Sequence, residues 1–366
     1  MVRISAVGDV RLTQPLADTR LRHVAELLRD SDIAFCQNEC TYSDQGSMGS
    51  NGPRGVGPNS LDGYPAFAAS GFDVVSMATN HAMDWGRDAL LDTLARMRAD
   101  GIAVVGAGAA IDEARQPVVV ERGGTRFAFL AYCSVAPIGY YAAPARAGVV
   151  PLRAFVSHVL LEEDQPGTPP ETRTWPVPED LDAMVDDIAR AREQADVVVV
   201  SMHKGVHYIR ALVADYERAA VHAAVDAGAD LVLGHGAHML KGVEVYRGVA
   251  IFHSLGNFAF DINPAKNPDP WWKERVQRVY RTFGSEMLHT GEGALSVLAQ
   301  IDVEDARVTR VAMLPIAIND EREPVPAPVG TAAGDDIAAY VESITSDAGF
   351  TTTFRRDGDV LVVDLT

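Results

Sequence analysis

Six short polar motifs, each at or near the end of a strand-like apolar run, constrain the fold of this chain more than any other feature of its sequence. They are Gly8-Asp9, Asn38-Glu39, Thr79-Asn80-His81, His203-Lys204-Gly205, Gly234-His235-Gly236-Ala237-His238 and Ser254-Leu255-Gly256-Asn257. In an open α/β sheet, ligands collect just beyond the carboxyl ends of the strands. Carboxylate, carboxamide and imidazole groups that arrive there repeatedly indicate one shared metal site.

Strand-like and helix-like segments alternate up to about residue 135 and again from about residue 178, which is typical of a layered α/β fold. The clearest helix prediction covers 85–100, where apolar residues recur at helical spacing before Gly101. Two segments, about 137–177 and 262–292, are predicted to be irregular insertions. We expect a single domain over 1–366, in which the insertions either cover a substrate or run passively over the surface.

The amino-acid composition argues against some classes of binding partner. Of the 366 residues, 47% are hydrophobic and 22% are charged, as in an ordinary soluble globular protein. The net charge of −18 argues against a nucleic-acid partner, which needs a clustered basic surface. No apolar run approaches the roughly 20 residues needed to cross a bilayer. The first strand begins at about Arg3 and leaves no room for a signal peptide, so we expect a cytoplasmic protein that does not bind a membrane.

The candidate metal ligands are a mixed set of oxygen and nitrogen donors. They are Asp9, Glu39, Asn80, His203, His235 and His238. Hard oxygen donors suit Mg, Mn or Ca, and imidazoles extend the choice to Zn. A carboxylate such as Glu39 can bridge two ions, so the sequence allows one or two divalent ions. Each residue alone is a weak signal, because an aspartate after a strand is more often a helix cap than a ligand. The prediction rests on the recurrence of such groups at successive strand ends.

Longer segments around these motifs allow a comparison with a known family. They are Gly8-Asp9, Phe72 to His81, Asp84-Trp85-Gly86, Gly106 to Gly108, Ser201 to Gly205, Asp226 to Asp230, Gly234 to His238, Gly242 to Tyr246 and Ser254 to Phe258. On these segments the chain resembles the CapA-like proteins, which are bacterial capsule or poly-γ-glutamate synthesis proteins with a calcineurin-like metallophosphoesterase fold. The resemblance covers about residues 3–260 and implies a layered α/β sandwich, sheets flanked by helices, with the six donor residues around the metal.

The resemblance further implies that His81 is a proton donor rather than a metal ligand. Asp84 lies three residues further on, where it either orients the His81 imidazole or caps the helix over 85–100, or does both. His207, four residues after His203, either lines the pocket or lies on a surface turn. We therefore include His81, Asp84 and His207 among the candidate catalytic residues.

Three residues depart from the family pattern. Arg11 stands in place of the histidine of the usual Asp-x-His motif, which bears on whether two ions bind. Lys204 follows His203 where relatives often have an aromatic residue. It is a further catalytic candidate that either binds a substrate carboxylate, acts as a base or points to solvent. Gly236 stands where many relatives have another histidine, which leaves His235 and His238 as the pair from that loop.

Three classes of function suit such a site. Our leading hypothesis is metal-dependent epimerisation at the Cα of the C-terminal residue of a ribosomal, lasso-type precursor peptide, because some soluble relatives of the CapA-like proteins carry out this reaction. The first alternative is metal-dependent hydrolysis of a γ-glutamyl, amide or phosphoester bond. The second is a non-catalytic role in handling a capsule polymer. The missing first-motif histidine and the absence of an export signal favour the peptide substrate, and the sequence predicts no oligomeric state.

Overall fold

The computed structural model describes residues 1–13, 20–48, 59, 61–260, 274, 278 and 291–366. Its helices are α1 (Ala25–Arg29), α2 (Tyr64–Ala69), α3 (Gly86–Ala99), α4 (Ile111–Ala114), α5 (Pro178–Gln194), α6 (Asp215–Asp226) and α7 (Ala332–Asp347). Its strands are β1 (Val2–Arg11), β2 (Ile33–Asn38), β3 (Val74–Ser76), β4 (Ala103–Val105), β5 (Ala107–Gly108), β6 (Val118–Arg122), β7 (Thr125–Cys133), β8 (Gly148–Val149), β9 (Ala154–Val159), β10 (Glu171–Pro176), β11 (Val197–His203), β12 (Leu231–His235), β13 (Val243–Tyr246), β14 (Val249–Phe252), β15 (Asn257–Phe260), β16 (Leu295–Glu304), β17 (Arg307–Ile318), β18 (Pro324–Pro326), β19 (Phe354–Asp357) and β20 (Val360–Val363).

The larger sheet has β1 near its centre. Its order is β19-β20-β17-β16-β1-β2-β3-β4, with β15 also paired to β1 and β18 to β17. The strands from β1 to β4 run parallel, whereas β16, β17, β20 and β19 pair with antiparallel neighbours. Along β1, Ala6 pairs with antiparallel β16, but Asp9 pairs with Asn257 of parallel β15. The strand thus changes partner at the point where it delivers its carboxylate.

The smaller sheet has the order β13-β14-β12-β11-β7-β6, in which β7, β11, β12 and β14 run parallel. Side chains of β11 alternate between two cores, as the period of a strand requires. Val197 and Val199 face the core shared with the larger sheet. Val198 and Val200 face the core that contains residues of α5 and α6, such as Met184. This run of consecutive valines is therefore buried on both faces, which is typical of a parallel strand.

The two sheets pack against each other through apolar side chains. Phe35 of β2 stacks on Phe129 of β7, with ring centroids 5.8 Å apart. Leu28 of α1 and Met97 of α3 belong to the same core, while α5 and α6 cover the outer face of the smaller sheet. The layered α/β sandwich, sheets flanked by helices, is confirmed. Among the described residues, no helix is both long and apolar enough to cross a bilayer.

Some predicted boundaries and segments differ from the structure. Strand β1 continues to Arg11, so Asp9 lies inside the strand and not after its end. Part of the segment 137–177 is regular, because β9 and β10 form an antiparallel ribbon in which Glu171 pairs with Val159 and Pro176 with Ala154. The prediction for 262–292 lies outside the described residues, apart from 274, 278, 291 and 292.

Candidate metal centre

Strands of both sheets deliver polar side chains to one buried place. Asp9 comes from β1, and Glu39 and Asn80 lie on the chain beyond β2 and β3. His203 and His235 are the last residues of β11 and β12 and are paired in register. The two sheets face each other, so side chains that are far apart in sequence meet at this edge. The sequence predicted that these residues lie at or near strand ends. The packing of the two sheets brings them together.

Asp9, Glu39 and His203 form the centre of this group, because each offers a ligand atom within 4.8 Å of the other two. His203 Nε2 lies 3.3 Å from Glu39 Oε1 and 2.9 Å from Asn80 Oδ1. His235 Nδ1 lies 3.7 Å from Asp9 Oδ1. We call the six predicted ligands together the carboxylate–imidazole cluster. Its members are Asp9, Glu39, Asn80, His203, His235 and His238.

His238 completes the cluster from the loop after β12. Its Nδ1 lies 3.6 Å from Asp9 Oδ2, and its Nε2 lies 4.0 Å from Glu39 Oε2. The same loop reaches Asp9 a second time, since the backbone N–H of Gly236 donates to Asp9 Oδ2 over 3.2 Å. The structure therefore brings all six predicted donor residues together around two carboxylates.

Several buried polar atoms of this cluster have no hydrogen-bond partner in the described part of the chain. They are Asp9 Oδ1, both carboxylate oxygens of Glu39, His203 Nδ1 and both ring nitrogens of His235. Buried polar groups normally find a partner, and unpaired ones mark a missing water or ion or a functional site. Carboxylate oxygens and neutral imidazole nitrogens are ligands for divalent ions such as Mn and Zn. The donor set therefore fits a divalent metal.

The pKa values of these groups also fit a divalent metal site. Burial raises the pKa of Asp9 from 3.8 to about 8, although the Gly236 N–H opposes the shift. Burial and the charge of Asp9 raise the pKa of Glu39 well above 4.5. Burial lowers the pKa of His235 to about 3 and, with the neighbouring imidazoles, lowers the pKa of His203 well below 6.5. Without a cation the carboxylates resist ionisation, whereas the imidazoles are already neutral, as metal ligands must be.

Gly236 has a geometric reason to be glycine. Its φ is +88°, and a Cβ on it would lie 2.8 Å from His203 Nε2. Any side chain at this position would push against a cluster imidazole and would strain the backbone. This position is therefore closed to a further histidine.

His81 and Asp84 form a hydrogen-bonded pair beside the cluster. His81 Nδ1 lies 2.7 Å from Asp84 Oδ2, as the sequence predicted for an orienting carboxylate. The alternative that Asp84 caps the following helix is wrong, because α3 begins at Gly86 and its N-cap is Trp85. Tyr140, on the segment 137–177, donates its hydroxyl to Asp84 Oδ1 over 3.0 Å. Sequence reasoning missed this contact, because nothing in a proline-rich segment indicates which tyrosine turns inward.

The predictions for Lys204 need correction. Its side chain is fully buried, so it does not point to solvent. Its Nζ donates to Glu217 Oε2 over 2.8 Å and to the His253 carbonyl over 3.3 Å, and lies 3.3 Å from His253 Nδ1. The three protons of the ammonium group are thus committed, which leaves none for a substrate carboxylate. These contacts hold the ammonium group away from any reacting carbon, so the structure gives no support to a role as a base.

Further polar residues extend from Lys204 to the protein surface. His253 Nε2 lies 2.9 Å from Glu244 Oε2, and Glu244 Oε1 lies 2.7 Å from His222 Nε2. We call this chain of contacts the lysine network. Its members are Lys204, Glu217, His253, Glu244 and His222.

His207 is half-buried on a turn that lies beside the cluster. Its ring centroid is 5.2 Å from that of His238, and the neighbouring Tyr208 stacks on His238 at 5.8 Å. Arg11 is buried as well, and its guanidinium lies 5.6 Å from the ring centroid of Phe260. The positive charge of Arg11 favours ionised Glu39, although it does not outweigh the burial of that carboxylate.

Comparisons with known proteins identify a matching family and related proteins. The family model described as "Bacterial capsule synthesis protein PGA_cap" matches residues 3–262. The PGA biosynthesis protein CapA of Bacillus subtilis is 32% identical over 191 residues, which cover 52% of this chain and 43% of that protein. A probable polyglutamine synthesis accessory protein of Mycobacterium tuberculosis is 28% identical over 266 residues, which cover 71% of this chain and 60% of that protein.

Among solved structures, the calcineurin-like phosphoesterase YfkN from Bacillus subtilis is 12% identical with a TM-score of 0.42, over 95% of this chain and 97% of that chain. This chain matches less than two thirds of the length of the two curated relatives. The family model, in contrast, covers well over half of this chain and includes every residue of the cluster. The chain therefore belongs to the bacterial capsule synthesis protein family PGA_cap.

Proposed function

We propose that this protein is a metal-dependent enzyme that epimerises the Cα of a C-terminal residue of a peptide. The observation that carries the proposal is the presence of two partly buried imidazoles beside the carboxylate–imidazole cluster. His81 and His207 both lie close enough to His203 to lower its pKa. Inversion at a carbon needs one group that removes a proton and another that returns one, and imidazole does both near neutral pH.

The metal would be held by the carboxylates of Asp9 and Glu39 together with the amide and imidazoles around them. A divalent ion bound there would supply positive charge that stabilises the negative charge developing beside the deprotonated carbon. The same ion would offset the cost of burying two carboxylates close together. The chemistry of these residues therefore suits a divalent ion as cofactor, whichever ion binds.

His81 is the better defined of the two proton carriers. A carboxylate only accepts hydrogen bonds, so the contact with Asp84 places the proton of neutral His81 on Nδ1 and leaves Nε2 as the base. In the proposed reaction His81 Nε2 takes the α-proton, and protonated His207 returns a proton to the opposite face. One Cα–H bond breaks and one forms, so the length and oxidation state of the peptide do not change.

The substrate class rests on the family. Relatives of this chain are named for PGA biosynthesis and for polyglutamine synthesis, and polyglutamine is a chain of amino acids. We expect a ribosomal precursor peptide as the partner. The substrate carboxylate is not assigned to Lys204, since the contacts of its ammonium group are already made within the protein.

Hydrolysis of a γ-glutamyl, amide or phosphoester bond is the second candidate. One observation favours it: Asp9 Oδ1 and both carboxylate oxygens of Glu39 lack hydrogen-bond partners among the described residues, and a histidine that can protonate a leaving group lies beside them. Hydrolysis needs one proton carrier, so it assigns no role to His207. The two candidates are therefore separated by what His207 contributes.

The test is turnover in deuterated water with Mn²⁺ or Ca²⁺. Its substrates are poly-γ-glutamate, a generic phosphoester and synthetic peptides that differ in the C-terminal residue. Epimerisation adds one deuterium at one α-carbon and leaves the chain length unchanged. A shortened product or free phosphate would replace the proposal with hydrolysis, and no change in any substrate would point to a non-catalytic protein. His81→Ala and His207→Ala should each stop epimerisation while the metal content stays that of the wild type. His158→Ala, on the exposed ribbon of β9 and β10, is the matched control.

A further inference from the structure

Asn257 holds His238 at two points. Its Oδ1 lies 2.9 Å from His238 Nδ1, and its Nδ2 donates to the His238 backbone carbonyl over 3.1 Å. Both residues are buried, and Asn257 is the first residue of β15, where it pairs in register with Asp9. The side chain that holds His238 is therefore fixed on the strand that lies beside the carboxylate of the cluster.

These two contacts determine the tautomer of His238. A backbone carbonyl only accepts hydrogen bonds, so the amide group that faces it must be the NH₂ group. The opposite end of the amide, Oδ1, also only accepts, so neutral His238 must carry its proton on Nδ1. The lone pair then lies on Nε2, the nitrogen on the side of Glu39. A flip of the ring about Cβ–Cγ would place a carbon opposite Asn257 Oδ1 and lose this hydrogen bond.

The backbone of His238 also needs support. Its φ is +57°, in the left-handed region that residues other than glycine rarely adopt. Such conformations persist where the surrounding structure holds them, and they concentrate at functional sites. The hydrogen bond from Asn257 Nδ2 to the carbonyl of His238 is a direct restraint on this backbone.

We propose that Asn257 is a positioning residue, which selects the Nδ1–H tautomer of His238 and thereby presents Nε2 to a divalent ion in the cluster. This inference rests on the proposed function, because it assumes that the cluster binds a metal. It goes further by assigning to the last residue of the Ser254-Leu255-Gly256-Asn257 motif a role that acts through His238.

The tautomer can be measured without metal or substrate. In protein labelled with ¹⁵N-histidine and treated with chelator, long-range ¹H–¹⁵N spectra distinguish protonated from unprotonated ring nitrogens, and a His238→Gln variant assigns the signals. We expect Nδ1–H in the wild type and in Asn257→Asp, whose carboxylate still accepts from Nδ1. We expect Asn257→Ala to show Nε2–H or a mixture. An Nδ1–H pattern in Asn257→Ala, or an Nε2–H pattern in Asn257→Asp, would overturn the proposal.

Affinity for Mn²⁺, measured by isothermal titration calorimetry, tests the consequence for the metal. Groups that orient a ligand typically change metal affinity by about 10-fold to 100-fold, so Asn257→Ala should weaken Mn²⁺ binding by about 10-fold or more. Asn319→Ala, which removes an asparagine bonded to Glu323, is the matched control and should bind as the wild type does. Equal affinity in Asn257→Ala and the wild type would overturn the proposal. If the wild type binds no divalent ion, the proposed function fails, and so does the role of Asn257 in presenting His238 Nε2 to a metal. The spectra would still show whether Asn257 selects the Nδ1–H tautomer of His238.

Discussion

Two buried polar groups lie side by side in this protein and differ in how their charges are satisfied. In the carboxylate–imidazole cluster, the oxygens of Glu39 and the nitrogens of His235 have no hydrogen-bond partner among the described residues. In the lysine network, Lys204, Glu217 and His253 all have partners at hydrogen-bonding distance. The two groups meet at consecutive residues, His203 and Lys204. Residue type and burial do not distinguish them, since both contain carboxylates and imidazoles.

This difference shows which of the two groups is satisfied by protein atoms alone. Burying a charge is costly unless it is paired, and a fully paired network restrains its neighbours. The lysine network meets this condition with protein atoms alone. The carboxylate–imidazole cluster does not, and its donors are of the types that suit a divalent ion.

The largest expected effect separates the two groups by stability. Lys204→Met leaves the buried carboxylate of Glu217 without its cation, which should lower the free energy of unfolding by about 3–5 kcal/mol. The variant should still bind a divalent ion, because every ligand of the cluster is intact. Chemical denaturation and elemental analysis measure the two quantities. The double variant Lys204→Met/Glu217→Gln removes both charges and should recover part of the loss. A stable Lys204→Met protein that lacks metal would instead make Lys204 part of the metal site.

The next largest effect concerns the carboxylate–imidazole cluster. Asp9→Asn removes a carboxylate from the cluster and should weaken Mn²⁺ binding by more than about 100-fold, beyond the usual effect of an indirect partner. The metal-free variant should unfold at a temperature no lower than that of metal-free wild type, because it no longer buries an ionisable group whose charged form is disfavoured by burial. Calorimetric titration and thermal unfolding in chelator test both statements. Asp112→Asn on exposed α4 is the control. Loss of stability without loss of affinity would make Asp9 a structural residue.

The pH dependence of the metal-free protein is a smaller effect with a definite sign. The pKa of Asp9 is raised from 3.8 to about 8, so between these values the unfolded chain has released a proton that the folded chain keeps. Stability is therefore lost as the pH rises. From pH 6.5, the ordinary histidine value, towards pH 8, the loss should be about 1 kcal/mol per pH unit. Denaturation in chelator measures it. The raised pKa of Glu39 adds a slope of the same sign, so the Asp9→Asn change should reduce the slope and added Mn²⁺ should flatten it. A slope that survives Mn²⁺ would have another origin.

On the acid side, His253 of the lysine network should contribute to the loss of stability together with His203 and His235 of the cluster, whose pKa values are lowered too. The pKa of His253 is lowered from 6.5 to about 4 by burial and by Lys204, so the unfolded chain takes up a proton before the folded chain does. Stability should fall as the pH drops through this interval because of His253. A His253→Gln variant should show a weaker acid-side loss than the wild type in the same denaturation series. An unchanged acid-side slope would assign that loss to other groups.

The smallest expected effect lies at the edge of the cluster. Tyr140→Phe removes one hydrogen bond to Asp84 but keeps the contact between Asp84 and His81. The cost should be about 1 kcal/mol, which corresponds to an approximately fivefold lower kcat if His81 is a proton carrier. Steady-state kinetics on the substrate found by the deuterium test measure it. Tyr64→Phe, which loses an exposed hydrogen bond to Asp100, is the matched control. Equal effects of the two changes would remove Tyr140 from the His81–Asp84 pair.

Much of the fold could be predicted from local pattern. The helix over 85–100 agrees with α3 (Gly86–Ala99), because apolar spacing and a terminal glycine are local signals. The turn at Arg247-Gly248 between β13 and β14 is likewise a local feature, in which both residues adopt positive φ. The ribbon of β9 and β10 was not predicted, because its strands have both faces largely exposed and so lack an alternating apolar pattern.

The contacts of the cluster and of the lysine network could likewise be predicted from the sequence only in part. The sequence by itself determined which side chains follow the strands, and therefore that carboxylates, an amide and imidazoles would collect at one edge of an α/β sandwich. Only the tertiary structure decided that Lys204 turns to Glu217, that Tyr140 reaches Asp84 and that Asn257 holds His238. The physical reason is that strand position is set by local hydrophobic pattern, whereas the partner of a buried polar atom is set by whichever distant atom the packed sheets bring within hydrogen-bonding distance.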